Sequence, residues 1–152
     1  MISNELPLTT LIELASGELD EAQRALGIAQ QAATEAETQT QSLITYRDEY
    51  RARLTTSAQA GLSGANWRNF QTFIETLDAA IEQQRRVLAA AQHRLEIARA
   101  NWMEKRRKMT SYEALAERAR QREQAVLARR EQRESDEYAA KIVRMRRDAS
   151  QD

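Results

Sequence analysis

Apolar residues recur along this chain at alternating intervals of three and four, in two long runs separated by one break. The first run is Leu8, Ile12, Ala15, Leu19, Ala22, Leu26, Ala29, Ala33, Ala36, Thr40, Leu43, Arg47, Tyr50 and Leu54, with twelve of fourteen positions apolar. The second is Trp67, Phe70, Ile74, Leu77, Ile81, Gln84, Leu88, Ala91, Leu95, Ala98, Trp102, Lys105, Met109, Tyr112, Ala116 and Ala119, with fourteen of sixteen apolar. A seven-residue repeat sustained this long marks helices that supercoil left-handedly by packing knobs into holes. Between the runs, Thr55 to Asn66 places Gly61 and Gly64 among small polar residues, and the lone proline, Pro7, lies far upstream. That segment reads as the single hairpin turn, over about residues 58–65. The pattern predicts an all-α fold: an elongated two-stranded antiparallel coiled coil, that is, a helical hairpin forming one domain over residues 1–152. Helix 1 is expected over about residues 5–57 and helix 2 over about 66–148. Asn66 or Ser63 suits the N-cap of the second helix, and Ser3 or Asn4 that of the first.

The arms are unequal, about 80 Å and about 125 Å at 1.5 Å per residue. Folding about residue 61 sets Leu8 near position 114, so roughly the last 30 residues form a C-terminal overhang of helix 2. There Glu123, Arg130 and Glu137 occupy seam positions, and Val126, Leu127, Tyr138, Ile142 and Met145 leave only a narrow apolar stripe. A long charged helix without tertiary packing is marginal, so the overhang is expected to order on a partner, with Val126, Tyr138, Ile142 and Met145 as its contact residues.

Composition narrows the function. Ala, Glu, Lys, Leu and Arg supply 80 of 152 residues, the bias of long helices and coiled coils. Cysteine is absent and His93 is the one histidine, which removes disulfides, thiolate chemistry and Cys- or paired-His zinc sites. His93 falls on an outward heptad position with no second ligand or nucleophile beside it. No Gly-rich phosphate loop is present, and a two-helix layer offers no concave pocket in which catalytic groups lose their water. The reading is therefore non-enzymatic, with no cofactor and no metal.

The charges balance at 23 basic and 23 acidic residues. They are divided, however: residues 1–60 carry 4 basic and 9 acidic side chains, and residues 61–152 carry 19 and 14. Antiparallel pairing joins these complementary arms, with Glu37 expected to face Arg85. The Arg-rich stretches after Lys105 are interleaved with Glu113, Glu117, Glu123, Glu131, Glu134, Asp136 and Glu137 at ion-pair spacings, which argues against nucleic acid as a partner. No apolar run spans a bilayer, and the start lacks a basic segment followed by an apolar one, so a cytosolic protein without direct membrane insertion is expected.

The two flanks of the seam differ. Glu37, Arg51, Asp78, Arg85 and Arg99 line one, whereas Ala25, Ala32, Tyr46, Phe73, Ala80 and Val87 line the other. Tyr46 and Phe73 fall in the same layer, bordered by Leu43, Tyr50 and Leu77, and would form an exposed apolar patch of the kind used for docking. Gln84 and Lys105, polar within the seam, read as register devices.

Specific runs resemble a known family. They are the LxxLAxxELDEAxRxLG pattern at Leu11 to Gly27, LITYRDEYRxxL at 43–54, NWRNFQTFIETLDAAIEQQR at 66–85, LxxARxNWMEKRRK at 95–108, and an Arg-rich close containing Asp136 and Glu137. Together they resemble the FliJ family, the small coiled-coil component of the bacterial flagellar type III export apparatus. The resemblance implies a protein that binds the hexameric export ATPase, promotes ring assembly, contacts the cytoplasmic domain of the membrane export gate and helps cycle export chaperones. It implies a cytoplasmic location with peripheral association at the flagellar base. It also places the gate-contacting surface at Leu43, Tyr46, Tyr50, Phe73, Leu77 and Ala80, and the ATPase ring at the terminal helices. The alternative that the heptad pattern leaves open is a structural adaptor or scaffold that self-associates through the apolar flank and has no ATPase partner.

Overall fold

The structure is a computed structural model that describes residues 7–151. Two helices make up the fold: α1, Leu8–Gln59, and α2, Gly64–Ala149. They pack antiparallel as a hairpin, and no strand occurs among the described residues. Residues 5 and 6 of the expected first helix, and its candidate caps Ser3 and Asn4, lie outside the described residues. The Pro7 carbonyl accepts the first bond of α1, from the Leu11 amide at 3.1 Å.

The turn is tighter than the sequence suggests, with only residues 60–63 outside the helices. Ala58 and Gln59 stay helical because nothing in them blocks the ladder, and α1 stops where Gly61 adopts φ 93°. That left-handed conformation is open to glycine at little steric cost. On the far side Ser63, rather than Asn66, is the cap: its Oγ accepts the Asn66 amide at 3.4 Å and its carbonyl accepts the Trp67 amide at 3.0 Å. Gly64 and Ala65 therefore form the first turn of α2. Gly61→Ala is expected to lower stability by about 1 kcal/mol through backbone strain alone. An unshifted guanidinium midpoint for the Gly61→Ala variant would contradict this account of the turn.

The heptad seam is the core. Every α1 seam position is buried or half-buried, and so is every α2 seam position except Trp67. Ala33, Ala36 and Ala91 form a buried cluster with Leu88 and Leu95 packed against it, so leucines on α2 fill the space that alanines leave. Trp67 does not take part in this filling: it lies in the first turn of α2 and remains 41% exposed. By the reflection about the turn its opposite numbers on α1 are the small residues around Thr56, which cannot cover an indole. Thr40, the one buried polar residue among those described, donates its hydroxyl to the Ala36 carbonyl at 2.7 Å, which satisfies it within its own helix.

Polar seam positions report the register. Gln84 donates to Gln39 at 3.1 Å, and Lys105 Nζ lies 3.4 Å from Glu18. From Gln39 back to Glu18 and from Gln84 on to Lys105 are both 21 residues, three full heptads, so the pairing holds its reflection without slipping. Glu37 does not pair with Arg85 as its position suggested; Arg85 reaches Glu82 on its own helix, at 4.0 Å. At exposed flanks a short intrahelical pair competes well with a bridge that must order two long side chains.

The chain divides into two compact units, Ser16–Arg106 around the turn and a second that joins residues 7–15 to residues 107–151. In the second, the α2 segment beyond Ala119 is exposed at every position through Gln151 except the half-buried Ile142. This is the C-terminal overhang. The helix ends with Arg146 and Arg147 in its last turn, where cations complement the dipole.

Candidate functional site

The LITYRDEYR run keeps α1 helical while setting Tyr46 and Tyr50 one turn apart. The Asn66-to-Arg85 run does the same for Phe70 and Phe73 on α2. The hairpin brings all four together. Tyr50 lies 4.6 Å from Phe73 and 5.2 Å from Phe70 between ring centroids, both tilted. Tyr46 meets Phe73 edge to face at 6.4 Å and 83°, and sits 6.4 Å from Tyr50. Offset and edge-to-face pairs of this kind add about 0.5–1.5 kcal/mol each beyond area burial. The cluster is a platform of four rings in mutual contact, and its outer members stay in solvent, with Tyr46 at 45% and Phe73 at 37% exposure.

The other expected patch residues divide by depth. Leu43 and Tyr50 are half-buried and Ala80 is exposed, so each keeps some surface in solvent. Leu77 does not: at 7% exposure it belongs to the core beneath the rings. Seam position explains this, since a residue in the interhelical layer is covered by the opposite helix. Phe70 was legible only as a seam residue, yet its ring packs at a tilt against Tyr50 and braces the platform. Its aromatic identity beside Phe73 was the available signal.

On the opposite flank the same layers are ionic. Asp78 accepts from Arg47 at 3.0 Å and from Arg51 at 3.3 Å, and Arg47 also contacts Asp48 at 3.3 Å. The hydrogen bond to Asp78 raises the Arg47 guanidinium above its ordinary range, against a partial loss of hydration. One edge of the hairpin near the turn is thus charged and internally paired, while the other presents aromatic carbon.

The expected overhang residues do not form a cluster, because they lie along one helix. Val126, Tyr138 and Met145 are all more than half exposed, and Tyr138, Ile142 and Met145 follow at i, i+4 and i+7 on one face. Charged neighbours pair locally: Arg120 bonds Glu117 at 2.8 Å, and this lowers the Glu117 carboxyl below its usual range. Gln132 donates to Asp136 at 2.9 Å.

No group of three or more His, Cys, Asp or Glu side chains among the described residues is placed to hold a metal ion. A groove of about 670 Å³ runs along Thr34, Glu37, Thr38, Gln41, Thr45 and Glu49, all from α1, so no second wall closes over it. Groups in it stay hydrated, unlike those of an enzyme pocket.

An all-α hairpin with an ionic edge, an aromatic edge and an exposed, charged C-terminal helical run belongs to the class of coiled-coil proteins. The family pattern described as Flagellar FliJ protein matches residues 4–148, and the chain belongs to that family. It is 38% identical over 138 residues to the Flagellar FliJ protein of Salmonella typhi, covering 90% of this chain and 92% of the relative. The Flagellar FliJ protein of Escherichia coli is similar to the same extent, 38% over 138 residues.

Proposed function

We propose that this chain is a non-enzymatic component of the flagellar type III protein export apparatus that acts through two surfaces. The aromatic platform near the turn docks on the cytoplasmic domain of the membrane export gate and takes part in cycling export chaperones. The exposed C-terminal run of α2 engages the hexameric export ATPase and promotes its assembly. The protein works in the cytoplasm, held peripherally at the membrane by these contacts; none of the described helices is long and apolar enough to cross a bilayer. The observation that carries the reading is the exposure of Tyr46 and Phe73 on a braced cluster, since soluble chains rarely keep such a patch without using it.

Two outcomes are expected. Phe73→Ala should weaken binding to the purified gate domain by about tenfold, the effect of removing one aromatic anchor. Helicity should stay the same, because the ring lies outside the seam. Calorimetry giving an unchanged gate affinity would count against the platform. A chain ending at Ala125 should keep the melting temperature of the hairpin, because the residues removed are almost all exposed. It should lose stimulation of the ATPase; full stimulation by the shortened chain would reject the ring assignment.

A further inference from the structure

The apolar flank does not end at the aromatic platform. Beyond the Gln39 and Gln84 pair it resumes and continues to the Glu18 and Lys105 pair, so two polar latches frame three heptads of it. Within that frame Ala25, Ile28, Ala32, Val87, Ala90 and Ile97 are all exposed. Heptad geometry puts Ala25, Ala32 and Val87 next to the seam, and Ile28, Ala90 and Ile97 one step outward. The small residues make a shallow floor, and Ile28 at 70% and Ile97 at 58% exposure stand as shoulders on either side of it. The opposite flank over the same heptads carries Gln23, Gln30, Gln92 and Arg99 and has no such floor.

Charge placement states what fits there. Arg94 occupies a floor position in the middle of this aliphatic strip, exposed, and makes no ion pair with any described residue. Glu21 and Glu35 lie one heptad to each side of Ile28 on the α1 shoulder, both exposed. A lone guanidinium set in apolar surface selects a carboxylate, because its pairing is strengthened as the surrounding water is displaced. Glutamates along one rim select basic side chains on that edge.

We propose that this strip is a second docking surface, separate from the aromatic platform, and that its occupant is one amphipathic helix of a partner protein. That helix carries an apolar stripe about three heptads long, interrupted once by an acidic residue that meets Arg94, and has Lys or Arg along the edge facing α1. Bound there, it converts the hairpin locally into a three-helix bundle by helix-in-groove packing. The asymmetric charges fix the direction in which the helix lies.

The test uses the full chain and a fluorescent synthetic helical peptide about three heptads long, with leucines at heptad seam positions, one central Glu in that stripe and Lys along one edge. Anisotropy should show saturable binding. Ile28→Ser with Ile97→Ser should weaken it about a hundredfold, the loss of two buried side chains. Arg94→Glu should weaken it about tenfold or more, and exchanging the central Glu of the peptide for Lys should restore binding to that variant only. Circular dichroism should show native helicity in each variant, since all three positions are exposed. Failure of the peptide to bind, or a charge exchange without rescue, would overturn the proposal. So would sedimentation showing that the chain is a dimer which the two serine substitutions dissolve, because a second copy would then be the occupant.

Discussion

Ile81→Ala is expected to lower the stability of the hairpin by about 2–5 kcal/mol, the range for truncating a fully buried aliphatic side chain. Ile81 is the largest side chain among the described residues that is almost wholly buried, at 1% exposure. The register explains the burial. Ile81 lies between Asp78, which Arg47 reaches, and Gln84, which meets Gln39, so it faces the α1 stretch between residues 39 and 47. Lateral support is thin in a two-helix layer, so the void is shared by few neighbours and a partial collapse recovers little. A denaturant titration followed by circular dichroism reads the effect directly; a loss below about 1 kcal/mol, as surface positions give, would contradict the seam.

Ala36→Leu is expected to be nearly as costly for the opposite reason. Ala36 is buried in the cluster with Ala33 and Ala91, and Leu88 and Leu95 already occupy the adjoining volume. The added carbons have no room unless the helices part, and overpacking of this kind costs about 1–3 kcal/mol. Because the damage is steric, a compensating Leu88→Ala on the opposite helix should return part of the loss, whereas each substitution alone destabilises. A double variant no more stable than the sum of the two losses would show that these side chains do not share one space.

How much of this was legible beforehand depends on which physical quantity carries each feature. The seam was, because a heptad repeat encodes the direction in which each side chain points, and side-chain direction decides burial in a coiled coil. The site of the turn was, because Gly61 supplies the one positive-φ position among the described residues. The meeting of Tyr46 and Phe73 followed from these two facts, since a fixed turn and a fixed repeat determine the layers. Helix ends were less legible: Ser63 and Asn66 are chemically equivalent as caps, and only the packed backbone selects Ser63. Trp67 misled because periodicity says nothing about whether the opposite helix presents anything large enough to cover an indole.

Ion pairs were the least legible feature. Glu37 and Arg85 have complementary charge in matching layers, but flexible exposed side chains choose among several partners of similar energy, and Arg85 takes Glu82. Arg47, one of the two polar positions in the first seam, sends its guanidinium across to Asp78, so its aliphatic stem fills the layer while its charge reaches the flank. The depth of Leu77 against the exposure of Ala80 separates support from contact within the aromatic site, and heptad position alone would have drawn that distinction. For function, sequence similarity assigns the family, and the exposed aromatic carbon gives the reason to look for a partner at this end of the hairpin.

Whether the two arms of one molecule lie side by side is open to a direct test. The chain has no cysteine, so Gln39→Cys with Gln84→Cys introduces a unique pair where the side chains meet at 3.1 Å in the native protein. Treatment with a short bis-maleimide at low protein concentration should yield a cross-linked monomer of altered gel mobility, and Gln39→Cys paired instead with Arg99→Cys, about 22 Å further along α2, should not. Covalent dimers without cross-linked monomer would contradict the folded-back arrangement, and with it both docking surfaces that depend on bringing the two arms together.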